Sequence, residues 1–317
     1  MFLLLVLSPV GASAESDDDK CDSDHFGYER MLDTAYDQFS QAICLPSRWF
    51  DRFFATSESD EWQNAGTTLR VTQEQTLRDD GYYPHPLRIK THVELPSLEQ
   101  RFSLLFANDD DVDNEHFGLQ EDRRQRTDTN PEGFRAALRW AVKTSKRVNL
   151  DLDVGLRSEL HAYSQLRYRW EKNVATRGRL RVTERLAYLD PDGFSLQMLH
   201  EYAHTMTMQS QLQFSAGLYR SEVTEKQGIG WAVTPGMSYH HRINHKAALQ
   251  SSVGARFFTQ PHWQAQLYRL SVLYRQNVLR PWLYYEVEPF WEWPIEQDFG
   301  TVTGISFRIE ALFGYMR

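Results

Sequence analysis

Apolar and polar side chains alternate with period two along most of this chain. Between Phe134 and Val142 every even-numbered residue is apolar, and arginine or alanine stands at each position between them. The stretch from Val148 to Leu156 repeats the scheme, with asparagine, aspartate or glycine between its valines and leucines. A period of two places the two sets of side chains on opposite faces of a β-strand. The few residues between these stretches therefore predict a hairpin of two long strands.

Fourteen segments of this kind follow one another to the end of the chain. A helical interpretation fails, because polar residues occupy every second position rather than one stripe. The first three segments have the weakest alternation, so twelve strands is the alternative, and either even number returns both ends of the sheet to one side of a membrane. The predicted strands cover residues 67–77, 87–96, 100–107, 133–144, 147–157, 161–171, 177–188, 194–204, 207–219, 228–240, 246–258, 263–275, 280–292 and 299–313.

The length of these segments favours a membrane barrel. Soluble strands usually have about five or six residues, whereas about nine to eleven tilted residues span the hydrocarbon of a bilayer. Tryptophan and tyrosine fall toward segment ends, as Trp231 and Tyr239 do, which is typical of two interfacial girdles. We predict an all-β fold, an antiparallel transmembrane β-barrel of about 14 strands spanning residues 66–317. A secreted β-sandwich or a soluble ligand-carrying barrel is the alternative.

Composition excludes two other classes of protein. No run of eighteen apolar residues occurs, which argues against a helical membrane protein. Acidic residues outnumber basic ones by 43 to 35, the formal charge is −8, and no Lys/Arg block stands alone. Nucleic acid is therefore not an expected partner.

The N-terminal stretch predicts export. Residues 1–14 combine a short apolar run with small residues at 12 and 14, which favours a cleaved signal peptide over an anchoring helix. Cys21 and Cys44 are the only cysteines, so in an oxidising compartment we predict a disulfide between them, with two free thiols as the alternative. Helical spacing within residues 15–65 predicts a short helical pre-domain, periplasmic and plug-like. Its aromatic face packs on its neighbours or binds a periplasmic partner.

The face of the sheet opposite the apolar one carries charges of both signs. Arginines on consecutive strands form a predicted basic ladder beside two aspartates, and two glutamates lie farther round the barrel. The structural interpretation is a mesh of salt bridges that stiffens the wall, and the functional one is a charged conduit that prefers anions. The lumen-lining candidates are Arg167, Arg169, Arg179, Arg181, Arg185, Asp151, Asp153, Glu286 and Glu288.

Two further motifs yield no site. The acidic run at 108–115 lacks the ligand spacing of a calcium loop, so a solvated charge run is preferred to a cation site. His200, Glu201 and His204 form an HExxH sequence, which in zinc proteases needs a helix. On a strand the two histidines share one face about 13 Å apart, and the glutamate points to the other. We therefore predict no catalytic, metal-binding or cofactor-binding residues.

Three stretches near the C-terminus carry a family resemblance. They are NVLRPWLYYEVEP at 277–289, Trp293-Pro294, and Phe307 followed by Leu312-Phe313-Gly314, and weaker likeness extends to 166–186 and 108–115. In these residues the chain resembles uncharacterised proteobacterial outer-membrane β-barrel proteins. The resemblance implies that architecture and a location in the Gram-negative outer membrane, reached through the periplasm, among outer-membrane lipids and lipopolysaccharide.

The sequence leaves three functions open. The first is a passive pore or transporter with a charged lumen. The second is a structural or partner-binding barrel without conductance, and the third is a lipid-acting outer-membrane enzyme, for which we find no recognisable local signature.

Overall fold

The computed structural model describes residues 68–81, 83–84, 86–94, 102–108, 134–145, 147–174, 177–280 and 282–314. The predicted signal peptide, the helical pre-domain with Cys21 and Cys44, and most of the acidic run lie outside the described residues. The strands are β1 Thr68–Arg78, β2 Leu87–Glu94, β3 Phe102–Ala107, β4 Arg135–Thr144, β5 Val148–Arg157, β6 His161–Val174, β7 Gly178–Leu189, β8 Gly193–Thr207, β9 Ser210–Ser221, β10 Ala232–Asn244, β11 Ala247–Phe258, β12 Gln264–Asn277, β13 Leu283–Pro294 and β14 Val302–Gly314.

These fourteen strands form one closed antiparallel barrel, so the predicted fold and strand number are confirmed. Each strand pairs with its neighbours in the chain, and β1 closes the ring on β14 from Thr68 opposite Gly314 to Arg78 opposite Gly304. Just beyond the Arg78 end of this seam, the Thr303 N–H and hydroxyl donate hydrogen bonds to the Asp79 carboxylate at 3.0 and 2.9 Å. Those two hydrogen bonds lower the pKa of Asp79 below its ordinary value. Closure leaves no strand edge, which satisfies every strand's backbone.

The connections divide the barrel into two ends. Those that follow even-numbered strands are two to seven residues long, and we call that side the turn end. Connections after odd-numbered strands range from three residues to the 27 between β3 and β4, and we call that side the loop end. Short turns on one side and longer loops on the other are typical of outer-membrane barrels.

One predicted strand begins too early. The alternation suggested a strand over residues 228–240, but β10 runs from Ala232 to Asn244. Before it lies the helix α1, Glu222–Lys226, which begins with a capping box formed by Ser221 and Thr224. Gly228 and Gly230 follow this helix in the left-handed region, at φ 71° and 68°, so the chain is not extended there and the strand begins only after Trp231. No helix among the described residues is long and apolar enough to cross a membrane.

Aromatic side chains gather on the outside at both ends of the strands. At the loop end Tyr188 packs on Phe194 with ring centroids 5.0 Å apart, and Phe257 on Trp263 at 5.2 Å. At the turn end the corresponding pairs are Phe102–Trp140, Tyr274–Tyr285 and Tyr239–His241. Amphipathic rings at two levels fit the two interfaces of a bilayer.

Candidate functional site: the inner face of the barrel

The two faces of the wall differ sharply in polarity. On β1, Glu74 and Arg78 are 4% and 6% exposed, whereas Leu77, which precedes Arg78 in the sequence, is 42% exposed. The same alternation holds around the ring, with valine, leucine, phenylalanine and tyrosine in the exposed set and arginine, glutamate, glutamine and serine in the buried set. In a closed barrel the exposed set lies on the convex outside and the buried set inside. The apolar side of the sheet therefore faces outward, with its aromatic pairs at two levels.

The chain is an outer-membrane-type β-barrel. Its inner face is the candidate functional site, because an ionic interior surrounded by an apolar belt is how such barrels carry polar solutes. The interior is not uniform. Most of its charged residues fall on two walls, and the strands between the walls carry fewer charges, among them Arg88 on β2 and Arg256 on β11.

The first wall, which we call the balanced wall, holds equal numbers of acidic and basic side chains among the described residues. It joins the two ends of the chain, since β1 and β14 both contribute. Its members are Arg70, Glu74 and Arg78 on β1, Arg269 and Arg275 on β12, Glu286, Glu288 and Glu292 on β13, and Arg308 and Glu310 on β14.

Acid and base alternate along this wall without a break, beginning at the loop end. Glu292, with no exposed surface, accepts from Arg78 at 2.9 Å and also from Arg269. Arg269 then donates to Glu288 at 3.1 Å, and Glu288 accepts from Arg308 at 2.6 Å. Each carboxylate in this half therefore lies between two guanidinium groups.

The alternation continues to the turn end. Arg308 donates to Glu286 at 2.5 Å, and Glu286 also accepts from Arg275. Arg275 reaches Glu310 at 2.5 Å, and Glu310 lies 3.7 Å from Arg70. The network thus runs the length of the barrel, and its charges cancel locally.

An aromatic ring anchors the loop end of the network. The guanidinium carbons of Arg269 and Arg78 lie 4.4 and 5.5 Å from the centroid of Phe290, within the range of cation–π attraction. Phe290 pairs across the strands with Gly304, and a Cβ on that glycine would approach the ring to 2.3 Å. Glycine is therefore required for the ring to lie flat against the wall.

The second wall, on β4 to β8, holds an excess of arginine, and we call it the arginine wall. Its basic members are Arg139, Arg167, Arg169, Arg179, Arg181 and Arg185, and its acidic members are Asp151, Asp153, Glu171 and Glu201. Arg167 and Arg185 stand directly opposite each other on β6 and β7 and are 1% and 2% exposed. Like charges placed this way repel. Because the basic side chains on this wall outnumber the acidic ones, the wall carries a net positive charge.

The aspartates of the arginine wall are already engaged. Arg139 holds Asp153 through two hydrogen bonds of 2.7 Å, and Arg167 donates to Asp151 at 2.5 Å. Arg185 donates to the amide oxygen of Gln197 at 3.4 Å. The two carboxylates therefore neutralise Arg139 and Arg167, and the excess of positive charge falls on the strands beyond them.

The structure distributes the nine candidates from the sequence over both walls. Seven of them are buried on the inner face, namely Asp151, Asp153, Arg167, Arg169, Arg185, Glu286 and Glu288. Arg179 and Arg181 lie on the same face of β7 near the turn end, where their side chains are 24% and 19% exposed and Glu171 lies 3.8 and 3.3 Å away. The ladder and the two glutamates are not neighbours, because they belong to opposite walls.

Sequence reasoning missed the contribution of β1. Glu74 forms an ion pair with Arg308 at 3.3 Å and accepts from Arg88 at 2.9 Å, and Arg78 completes the contacts of Glu292. The alternation of Thr72, Glu74, Thr76 and Arg78 was a usable signal, but nothing local shows that β1 pairs with the last strand.

The HExxH motif lies on β8, as predicted. His200 is exposed on the outer face, while Glu201 faces inward and accepts from Gln213 at 2.8 Å. His204, again outward, lies 3.5 Å from the Tyr202 hydroxyl. The three side chains cannot share a metal ion, and no group of three potential ligands that could hold one occurs in the described ranges.

No protein-family model matches the chain, and no curated protein matches it either. Among solved structures, the CymD monoaromatic hydrocarbon channel aligns with 80% of this chain and 89% of its own at 6% identity and a TM-score of 0.47. The outer membrane channel DcaP of Acinetobacter baumannii aligns with 78% and 97% at 8% identity and a TM-score of 0.44. The KdgM porin aligns with 76% and 98% at 6% identity and a TM-score of 0.38. All three scores lie below 0.5, so the fold rests on the strand pairing of this chain.

Proposed function

We propose that the protein is a passive outer-membrane pore whose lumen favours anions. The observation that carries the proposal is the arginine excess on the inner face of a closed, outwardly apolar barrel. Outer-membrane lipids then surround the apolar belt, and the loop end faces lipopolysaccharide at the cell surface.

The size of the barrel supports a lumen. Strands about 4.8 Å apart and tilted by about 40° give a fourteen-stranded ring roughly 28 Å across. Eight strands are just filled by their own side chains, and sixteen to eighteen leave an aqueous channel. At fourteen strands the ring is wider than a barrel that its own side chains just fill, and this width supports a pore along the axis.

The charge distribution supports anion preference. The balanced wall is neutral, so the field along the axis comes mainly from the arginine wall, and wall charge is what selects ions in such pores. Between the two walls, β9 to β11 present mostly small polar groups such as Gln213, Ser215, Thr234 and Ser252, together with one further arginine, Arg256. The small groups neither repel nor bind an anion strongly, and Arg256 adds to the positive charge of the inner face.

Planar-bilayer recording tests the proposal. The full chain, inserted into a neutral bilayer, should produce stepwise conductance, and a tenfold gradient of KCl should give a reversal potential with the sign of chloride preference. A cation-selective pore would contradict the anion preference while leaving the pore intact.

A barrel without conductance is the second candidate, and one observation favours it. Charged side chains on both walls are almost fully covered, as Arg167 and Glu292 illustrate with 1% and 0% exposure. A plug formed by residues 15–65, which would also bind a periplasmic partner, is consistent with that covering. Deletion of residues 15–65 should then open conductance in a silent barrel, whereas silence in both forms would overturn the pore proposal.

A further inference from the structure

An acidic side chain points outward at the middle of β7. Its neighbours along the strand, Thr183 and Arg185, are buried on the inner face, so Glu184 belongs to the outer set. Two apolar outward residues stand on each side of it, and the last two of these, Leu186 and Tyr188, are 48% and 40% exposed. Glu184 therefore lies within the apolar belt, away from both aromatic levels.

Among the residues that the structure describes, none binds Glu184 within one copy. Tyr168 on β6 and Met198 on β8 are its cross-strand partners. Glu184 forms no hydrogen bond or ion pair with any residue that the structure describes, and Arg185, next in sequence, points to the other face. A carboxylate in this position is costly against acyl chains.

A histidine lies diagonally beside this glutamate. His200 on β8 pairs with Val182, so it is two residues along the neighbouring strand from Met198, the partner of Glu184. Diagonal neighbours are about 7–8 Å apart. His200 is exposed on the same outer face and likewise bonds to no described residue.

We propose that the outer face of β6 to β8 around Glu184 and His200 binds a second copy of this chain in the membrane. The patch holds one acidic and one basic group on a single face, so it is complementary to itself. Two copies related by a two-fold axis bring the patch onto itself, which sets Glu184 of each against the imidazole of the other. Polar groups that meet in this way stabilise association within a bilayer.

Charge complementarity distinguishes a second copy from other occupants. A lipid phosphate is repelled by Glu184 and lies at the interface rather than in the middle of the belt. A purely cationic partner would satisfy Glu184 and leave His200 facing lipid. Only a surface with both groups satisfies both, and the chain itself provides one. This inference goes beyond the pore and does not depend on conductance.

Site-specific photocrosslinking in outer membranes tests it. A benzophenone amino acid replaces Leu186 beside the patch, or Ile309 on β14, which is outward, 59% exposed and seven strands away on the far side of the ring. Irradiation should give a product of twice the monomer mass from position 186 and little from position 309. Equal yields at both positions, or a product whose mass identifies a different protein, would overturn the proposal.

Substitutions then test the two polar groups. Glu184→Leu and His200→Leu should each lower the yield of the product roughly tenfold, since each removes a hydrogen-bonding group from both halves of the interface. Gln75→Leu, which removes an exposed outward amide from β1, is the matched control and should leave the yield unchanged. Unchanged crosslinking in Glu184→Leu would overturn the role of the pair.

A loss of crosslinking in these variants can be distinguished from a failure to fold. Glu184 makes no contact that holds the barrel together, so its loss leaves the strands paired, and heat-modifiable migration in gels verifies this for each variant. Glu184→Gln, which keeps a hydrogen-bonding group without the charge, should give an intermediate yield.

Discussion

On the balanced wall every glutamate contacts two arginines, whereas on the arginine wall Arg167 and Arg185 face each other across two strands. Both walls consist of buried ionic side chains on the same kind of strand. The difference is that one wall cancels its charge within itself and the other leaves a net field. A barrel can therefore use one part of its interior for rigidity and another for selection.

Burial explains why the balanced wall must be complete. Separating two buried charges from water costs several kcal/mol, and close opposite charges recover that cost only while both partners remain. Each glutamate in the network contacts two arginines, so the loss of one glutamate takes an acidic partner away from two buried arginines. The following predictions test this contrast between the walls, from the largest expected effect to the smallest.

Glu292→Gln should destabilise the barrel by about 3–5 kcal/mol, because it removes the fully buried carboxylate that Arg78 and Arg269 share and leaves each guanidinium with one acidic partner, Asp80 or Glu288. Urea unfolding in lipid vesicles, followed by tryptophan fluorescence, measures the change. Glu225→Gln on α1 is the control, since its ion pair with Arg220 is exposed and should be worth less than about 1 kcal/mol. Equal losses in the two variants would contradict the role assigned to the network.

Gly304→Ala should cost about 1–3 kcal/mol, because the new methyl group displaces Phe290 from beneath Arg269. The same unfolding assay measures it. At Gly236 the nearest atom to an added Cβ is the Ser215 hydroxyl at 2.8 Å, and that group can rotate away. Gly236→Ala should therefore be milder, and a reversed order would show that the ring is not held by the wall.

Arg185→Gln should reduce the chloride-to-potassium permeability ratio roughly twofold, since it removes one charge from the arginine wall. Reversal potentials in planar bilayers measure this change. Arg220→Gln is the control, because Arg220 lies on the outer face against Trp231 and should not affect the ratio. An unchanged ratio in Arg185→Gln would place the selecting charges elsewhere.

Raising the salt concentration should weaken the same preference. The screening length of mobile ions falls from about 10 Å at 0.1 M to about 3 Å at 1 M, so at high salt the field of the arginine wall extends less far from the wall. The permeability ratio should therefore move toward unity between these concentrations, measured at a constant gradient. A ratio independent of salt would indicate a binding site rather than a diffuse field.

Much of the fold was predictable, because period-two alternation depends on local residues alone. Strands β4 to β9, including the hairpin from Arg135 to Arg157, match the predicted segments closely. The start of β10 was wrong because Gly228 and Gly230 adopt positive φ angles after α1, and alternation of apolar and polar residues does not reveal a backbone conformation. The same periodicity correctly placed His200 and His204 on one face of their strand.

The candidate site was only partly predictable. Charges on neighbouring strands of the arginine wall could be grouped, since consecutive strands pair. The contact between Glu74 and Arg308 joins strands at opposite ends of the chain, and it exists only because the ring closes. Glu184 escaped attention because a single polar residue in an apolar set looks like an imperfect strand until its surroundings are known.

The amino-acid sequence alone determined which face of each strand is apolar and which is ionic, because successive side chains of a strand point to opposite faces. It also predicted about fourteen strands, with twelve as the alternative, and the closed ring has fourteen. Only the tertiary structure decided which charges meet, because alternation within a strand carries no information about the register against its neighbour or about the partner of the first strand. Closure of β1 on β14 supplied that partner and brought glutamates and arginines from both ends of the chain into one neutral wall, whereas the register between consecutive strands grouped the arginines of the positive wall.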